Sequence, residues 1–121
     1  MSYRVLIVED EPAIARVLDL KLKQIGIDTE VANDGSLALD VINQDDFDCI
    51  LLDLILPGAD GFTILEAIRK KSQTTKVIIM TNLGQPEDRA RVEKLGITGY
   101  YVKSEVSISQ LAEVVKQVLM T

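Results

Sequence analysis

Apolar residues in this chain fall into two rhythms: short runs bounded by turn-forming residues, and longer stretches in which they recur every three or four positions. The first run, Tyr3 to Val8, stops at Glu9-Asp10-Glu11 and Pro12. A short apolar run of this kind predicts a strand buried on both faces, as in a parallel sheet. Pro12 opens a helix along which Ile14, Val17, Leu18, Leu22 and Ile25 recur at helical spacing until Gly26 stops it. Asp28 to Ala32 predicts a shorter strand, and Asn33-Asp34-Gly35 a turn that caps a second helix along Leu37, Ala38, Val41 and Ile42. Cys49 to Leu52 predicts the central strand, which ends on Asp53; Leu54, Ile55 and Leu56 follow before Pro57, Gly58 and Gly61 interrupt regular structure. Gly61 to Lys71 predicts a third helix with Leu65 and Ile68 inward, and Lys76 to Met80 a fourth strand closing on Thr81. After the loop from Asn82 to Gln85, Pro86 opens a fourth helix that runs through Leu95 and leaves chiefly Ala90, Val92 and Leu95 for a core. Such weak amphipathicity suits either a movable, partner-facing element or a merely solvated helix. Gly99 to Val102 predicts a fifth strand ending on Lys103, and Ser107 with Gln110 forms a capping box for a last helix along Ile108, Leu111, Val115 and Val118.

Strands alternating with helices through short loops predict an α/β fold: a doubly wound (βα)5 sandwich on a parallel five-stranded sheet, one domain spanning residues 1–121. In the flavodoxin-like strand order 2-1-3-4-5, strands one and three are neighbours at the switch point, where such sheets bind ligands outside the carboxyl ends of their strands. Glu9, Asp10 and Asp53 then share a crevice flanked by Thr81 and Lys103. A lone Asp at a strand end is most often a loop cap. Capping does not explain ionisable or hydroxyl residues at four strand ends on one edge.

Composition narrows the chemistry. The chain has 121 residues, 47% hydrophobic, 26% charged and only 4% aromatic, which is ordinary for a folded domain that buries about two-thirds of its unfolded surface. A net charge of −6 and a pI near 4.6 argue against this domain holding nucleic acid directly. The single Cys49 lies in an apolar run, so no disulfide framework exists and a buried, inert thiol is expected. There is no histidine, and with it go the usual general base and the usual transition-metal ligand. No signal-peptide pattern opens the sequence, and no apolar run approaches the roughly eighteen residues of a membrane span, so a cytoplasmic, membrane-free protein is expected. Clustered carboxylates repel one another unless a cation intervenes. With only oxygen ligands at hand, Mg²⁺ is the expected ion, Mn²⁺ the next. Carboxylates, a metal, a lysine and a hydroxyl together can handle a phosphoryl group, one carboxylate attacking phosphorus while the others neutralise its oxygens.

Four segments carry a resemblance to a known family: Val8 to Glu11, Leu51 to Gly61, Ile78 to Thr81 and Gly99 to Lys103. Jointly they resemble the receiver (CheY-like) domain of bacterial two-component response regulators, over essentially the whole chain. The resemblance implies that Asp53 takes a phosphoryl group from a sensor histidine kinase or phosphotransfer protein. It implies Asp10, Asp53 and the backbone carbonyl of Ile55 as metal ligands, with Glu9 acting through a metal-bound water. Thr81 and Lys103 resemble the switch hydroxyl and the phosphate-pairing lysine, and Tyr100 the switch aromatic, with Tyr101 on the opposite face. It further implies a two-state equilibrium reported to an output domain or target protein through the fourth helix, fifth strand and fifth helix. In this reading the chain is no enzyme beyond self-catalysed phosphotransfer and autodephosphorylation.

The sequence departs from the family's pattern in several places. Ser104 stands where proline, with a cis bond, is usual, so a trans or more mobile loop is expected. Asn82 replaces a small residue next to Thr81, narrowing access to Asp53. Apolar Ile55 and Leu83 predict slow loss of the phosphoryl group. Gly96-Ile97-Thr98-Gly99 does not support symmetric pairing of the kind used to join DNA-binding domains. Alternatives are a phosphorylation-independent docking receiver, an aspartyl-phosphate phosphatase, which commonly wants an acid where Ile55 stands, and a nucleotide or flavin module, whose phosphate the acidic first loop would repel.

Overall fold

The structure, a computed structural model, describes residues 2–120; Met1 and Thr121, the two ends of the expected domain, lie outside the described residues. The elements run β1 Arg4–Val8, α1 Pro12–Gln24, β2 Asp28–Ala32, α2 Gly35–Gln44, β3 Cys49–Leu52, α3 Gly61–Lys71, β4 Lys76–Thr81, α4 Pro86–Leu95, β5 Gly99–Val102, a short 3-10 turn Lys103–Glu105, and α5 Ile108–Leu119. The five strands form one sheet in the order β2-β1-β3-β4-β5, every adjacent pair parallel. This is the doubly wound flavodoxin-like arrangement read from the sequence.

Because successive strand residues point to opposite faces, each strand feeds two cores. Leu6, Val8, Ile50, Leu52, Val77 and Ile79 pack beneath α2, α3 and α4, whereas Val5, Ile7, Cys49, Leu51, Ile78 and Met80 pack beneath α1 and α5. The same rule separates the two tyrosines of β5: Tyr100 joins the first core and Tyr101 the second. Burial pushes the Cys49 thiol up to about 12.

Two apolar positions read along the helices are exposed. Ile25 is 44% exposed and Leu37 is 41% exposed. Regular winding of α1 stops at Gln24, so Ile25 becomes the C-cap and leaves the stripe; Ala15, Leu18 and Leu22 carry the burial instead. On α2 the inward row is Gly35, Ala38 and Ile42, at three- and four-residue spacing, and Leu37 lies off it. In the last turn of α5, Val118 packs half-buried against the core beneath α1 and α5, and Leu119 is buried beside it. The fourth helix is as sparse as its sequence predicts: Val92 is its one fully buried residue.

Candidate functional site

The carboxyl edge of the sheet collects the polar strand ends. Asp53 follows β3 and keeps the ladder going for one more step, its amide donating to the Val8 carbonyl at 3.1 Å; the Glu9 amide does the same to Ala32 at 3.1 Å. These backbone bonds fix both side chains inside the crevice. Among the described residues, Glu9, Asp53 and Thr81 are the only buried polar or charged ones, exposed by 0%, 3% and 0%.

Lys103 reaches the same point from the turn after β5. Its Nζ donates to Asp53 Oδ2 at 2.6 Å and to Glu9 Oε2 at 2.9 Å, and lies 2.6 Å from Glu9 Oε1. One ammonium therefore faces two buried carboxylates. Burial raises the Glu9 carboxyl to about 7, and Asp53 adds to the rise while Lys103 opposes it. Burial pulls the Lys103 ammonium down, but its hydrogen bonds to Asp53 and Glu9 outweigh that and leave it above the ordinary lysine value. Glu9 Oε1 is the one buried side-chain oxygen without a partner in hydrogen-bond geometry among the described residues.

Asp10, on the exposed rim, completes an acidic cluster: Glu9, Asp10 and Asp53 each offer an oxygen, all within 4.8 Å of one another. Three carboxylates against a single ammonium and an oxygen-only donor set fit a hard divalent cation. The Ile55 amide donates to Asp53 Oδ1 at 3.1 Å, which ties the following loop to the carboxylate, while the Ile55 side chain stands 53% exposed at the rim.

Thr81 ends β4 beside Asp53, yet its Oγ1 accepts from the Leu83 amide at 3.3 Å and, among the described residues, makes no hydrogen bond to Asp53 or Lys103. Tyr100 donates its hydroxyl to the Leu83 carbonyl, and the Arg89 guanidinium lies over its ring at 5.5 Å. Burial, with Asp88 nearby, raises the Tyr100 phenol. The sequence-predicted residues thus form two groups: Glu9, Asp10, Asp53, Ile55 and Lys103 in direct contact or close proximity, and Thr81 and Tyr100 joined through Leu83. Leu83, read from the sequence for its apolar side chain, joins them through its backbone, a role that residue type does not signal. Asn82 is exposed. The Lys103–Ser104 peptide is trans, so serine here does without the family's cis bond.

The sequence profile of the response regulator receiver domain matches residues 5–116. The chain belongs to this family. The receiver is 38% identical over 102 residues to the transcriptional activator protein PfeR of Pseudomonas aeruginosa, a match covering 84% of this chain and 33% of that protein. It therefore spans about a third of the length of that curated relative. Among solved structures, the receiver domain of the Francisella response regulator 1452 is 35% identical with a TM-score of 0.86, covering 98% of this chain and 97% of that one. A CheY-like receiver domain protein from Methanospirillum hungatei is 28% identical with a TM-score of 0.91, covering 98% and 94%. The receiver is a module of two-component signalling. No helix among its described residues is long and apolar enough to cross a membrane.

Proposed function

We propose that this receiver accepts a phosphoryl group on Asp53 from a sensor histidine kinase or phosphotransfer protein, in a Mg²⁺-dependent step, and changes conformation to regulate an output domain or target protein. The observation that supports this best is the buried Lys103 ammonium held by Asp53 and Glu9, within an acidic cluster that Asp10 completes. Asp10, Asp53 and the Ile55 carbonyl would hold the cation, with Glu9 behind them, and the bound cation would supply positive charge to the phosphoryl oxygens.

The chain's own groups do the rest. An Asp53 oxygen attacks phosphorus, the bond from phosphorus to the donor nitrogen breaks, its electron pair stays on the donor imidazole, and an acyl phosphate results. Lys103, already 2.6 Å from Asp53, swings only far enough to pair with a phosphoryl oxygen. The Thr81 hydroxyl turns from the Leu83 amide to donate to another. That releases the Leu83 amide, and the loop whose carbonyl holds Tyr100 shifts with it. The weakly packed α4, with β5 and α5, carries the change to the partner. Ile55 and Leu83 offer no polar side chain to orient a water, so the phosphoryl group is lost slowly. The receiver is not a turnover enzyme in this reading, and its setting is the cytoplasm.

Intact-protein mass spectrometry after incubation with acetyl phosphate tests the reading. Wild type is expected to gain one phosphoryl group only with Mg²⁺, and Asp53→Ala none. An adduct that persists in Asp53→Ala, or no adduct in a wild type that also fails to bind beryllofluoride, would overturn it.

A further inference from the structure

The loop that carries Ile55 is seated on the start of α2, in a part of the chain that supplies no group to the site. The Gly35 amide donates to the Pro57 carbonyl at 2.9 Å. Gly35 itself is buried, and a Cβ placed on it would lie 1.8 Å from the Ala59 carbonyl oxygen and 2.6 Å from the Ala59 carbonyl carbon and nitrogen. No side-chain rotation relieves a clash with backbone, so any residue but glycine at position 35 must push the loop away. Gly58 packs on the same spot from the other partner: its φ is +80°, and a Cβ there would meet Ser36 Oγ at 3.0 Å. Two residues upstream of Pro57, the Ile55 amide holds Asp53 Oδ1 at 3.1 Å. The same turn reaches the site by a second route, since the Ala32 carbonyl accepts from the Glu9 amide at 3.1 Å.

We propose that Gly35 is a positioning residue for the acidic pocket: by letting the loop from Leu54 to Ala59 lie directly on α2, it holds the Ile55 backbone where Asp53 and a divalent cation need it. This rests on the functional reading above. Its distinctive content is that a residue contacting neither the carboxylates nor the lysine sets cation affinity. Groups that orient metal ligands typically change affinity by about 10- to 100-fold when altered.

Isothermal titration of the full chain with Mg²⁺, alongside urea denaturation, compares wild type with Gly35→Ala, Gly58→Ala and Asp34→Ala. Asp34 caps the same helix, accepting from the Leu37 amide at 2.8 Å, so its loss weakens α2 without adding an atom beside Pro57 or Ala59. Gly35→Ala is expected to weaken Mg²⁺ binding by about tenfold or more, and Asp34→Ala to leave it within about twofold while lowering the denaturation midpoint. Gly58→Ala crowds Ser36 less but strains the backbone at φ +80°, so it displaces the same loop and supplies a loss of affinity if Gly35→Ala does not fold. Equal loss in Asp34→Ala and Gly35→Ala would overturn the proposal, as would unchanged affinity in folded Gly35→Ala, or in Gly58→Ala where Gly35→Ala is unfolded. A wild type that binds no Mg²⁺ overturns the site reading itself, and the proposal with it.

Discussion

The two flanks of Asp53 are built differently. On the α3 side the chain is held by backbone against backbone: Asp53 to Val8, Gly61 to Leu54 and Gly35 to Pro57. The helix that follows buries Phe62, Ile64, Leu65 and Ile68. On the α4 side the contacts run through side chains: the Thr81 hydroxyl under Leu83, the Tyr100 hydroxyl on the Leu83 carbonyl, and Arg89 over the Tyr100 ring. The helix beyond them buries Val92 alone, and every residue of β5 is only half-buried. A hydroxyl can exchange acceptors by turning about one bond, whereas a ladder amide cannot. One flank is made to hold charge in place and the other to change partners, and Lys103 spans the two.

Removing that bridge has the largest expected effect. Lys103→Met leaves Glu9 and Asp53 buried without their cation, at a cost of about 3 kcal/mol in metal-free protein near neutral pH. The loss should shrink as acid supplies a proton to Glu9; urea denaturation at two pH values checks both statements. A smaller effect belongs to the fixed flank alone. Glu9 keeps its proton up to about 7 in the folded state and sheds it near 4.5 when unfolded. Between those values the unfolded chain binds fewer protons, so this group's contribution to stability is present below about 4.5 and is lost as pH rises through 7. Glu9→Gln is expected to flatten that slope in metal-free protein. The smallest effect sharpens the contrast between the helices. Val92→Ala should cost about 1–2 kcal/mol and speed amide exchange in α4 while α3 stays protected.

What the sequence made legible follows the same division. Buried strands announce themselves as apolar runs, and their ends are marked by the residue that breaks the run, so Glu9, Asp53, Thr81 and Lys103 could be placed on one edge before any coordinates. Helix stripes were legible except at their ends: Ile25 and Leu37 are apolar but sit where the winding stops or turns off the row. Contacts made on backbone carbonyls distant in sequence left no mark in residue type. The Leu83 carbonyl under Tyr100 and the Pro57 carbonyl on Gly35 are of this kind, and the Gly in Asn33-Asp34-Gly35 read as an ordinary turn. How Lys103 divides its donors between Asp53 and Glu9 was also invisible in residue type.

The thiol of Cys49 is wholly buried at the start of β3, and its ionisation is pushed up to about 12. It is therefore silent toward maleimides and disulfide reagents while the fold holds. The wild-type chain is already a clean background for single-site labelling: a cysteine introduced on the outer surface of α4 would take a spin label or fluorophore alone, with no native thiol to remove first.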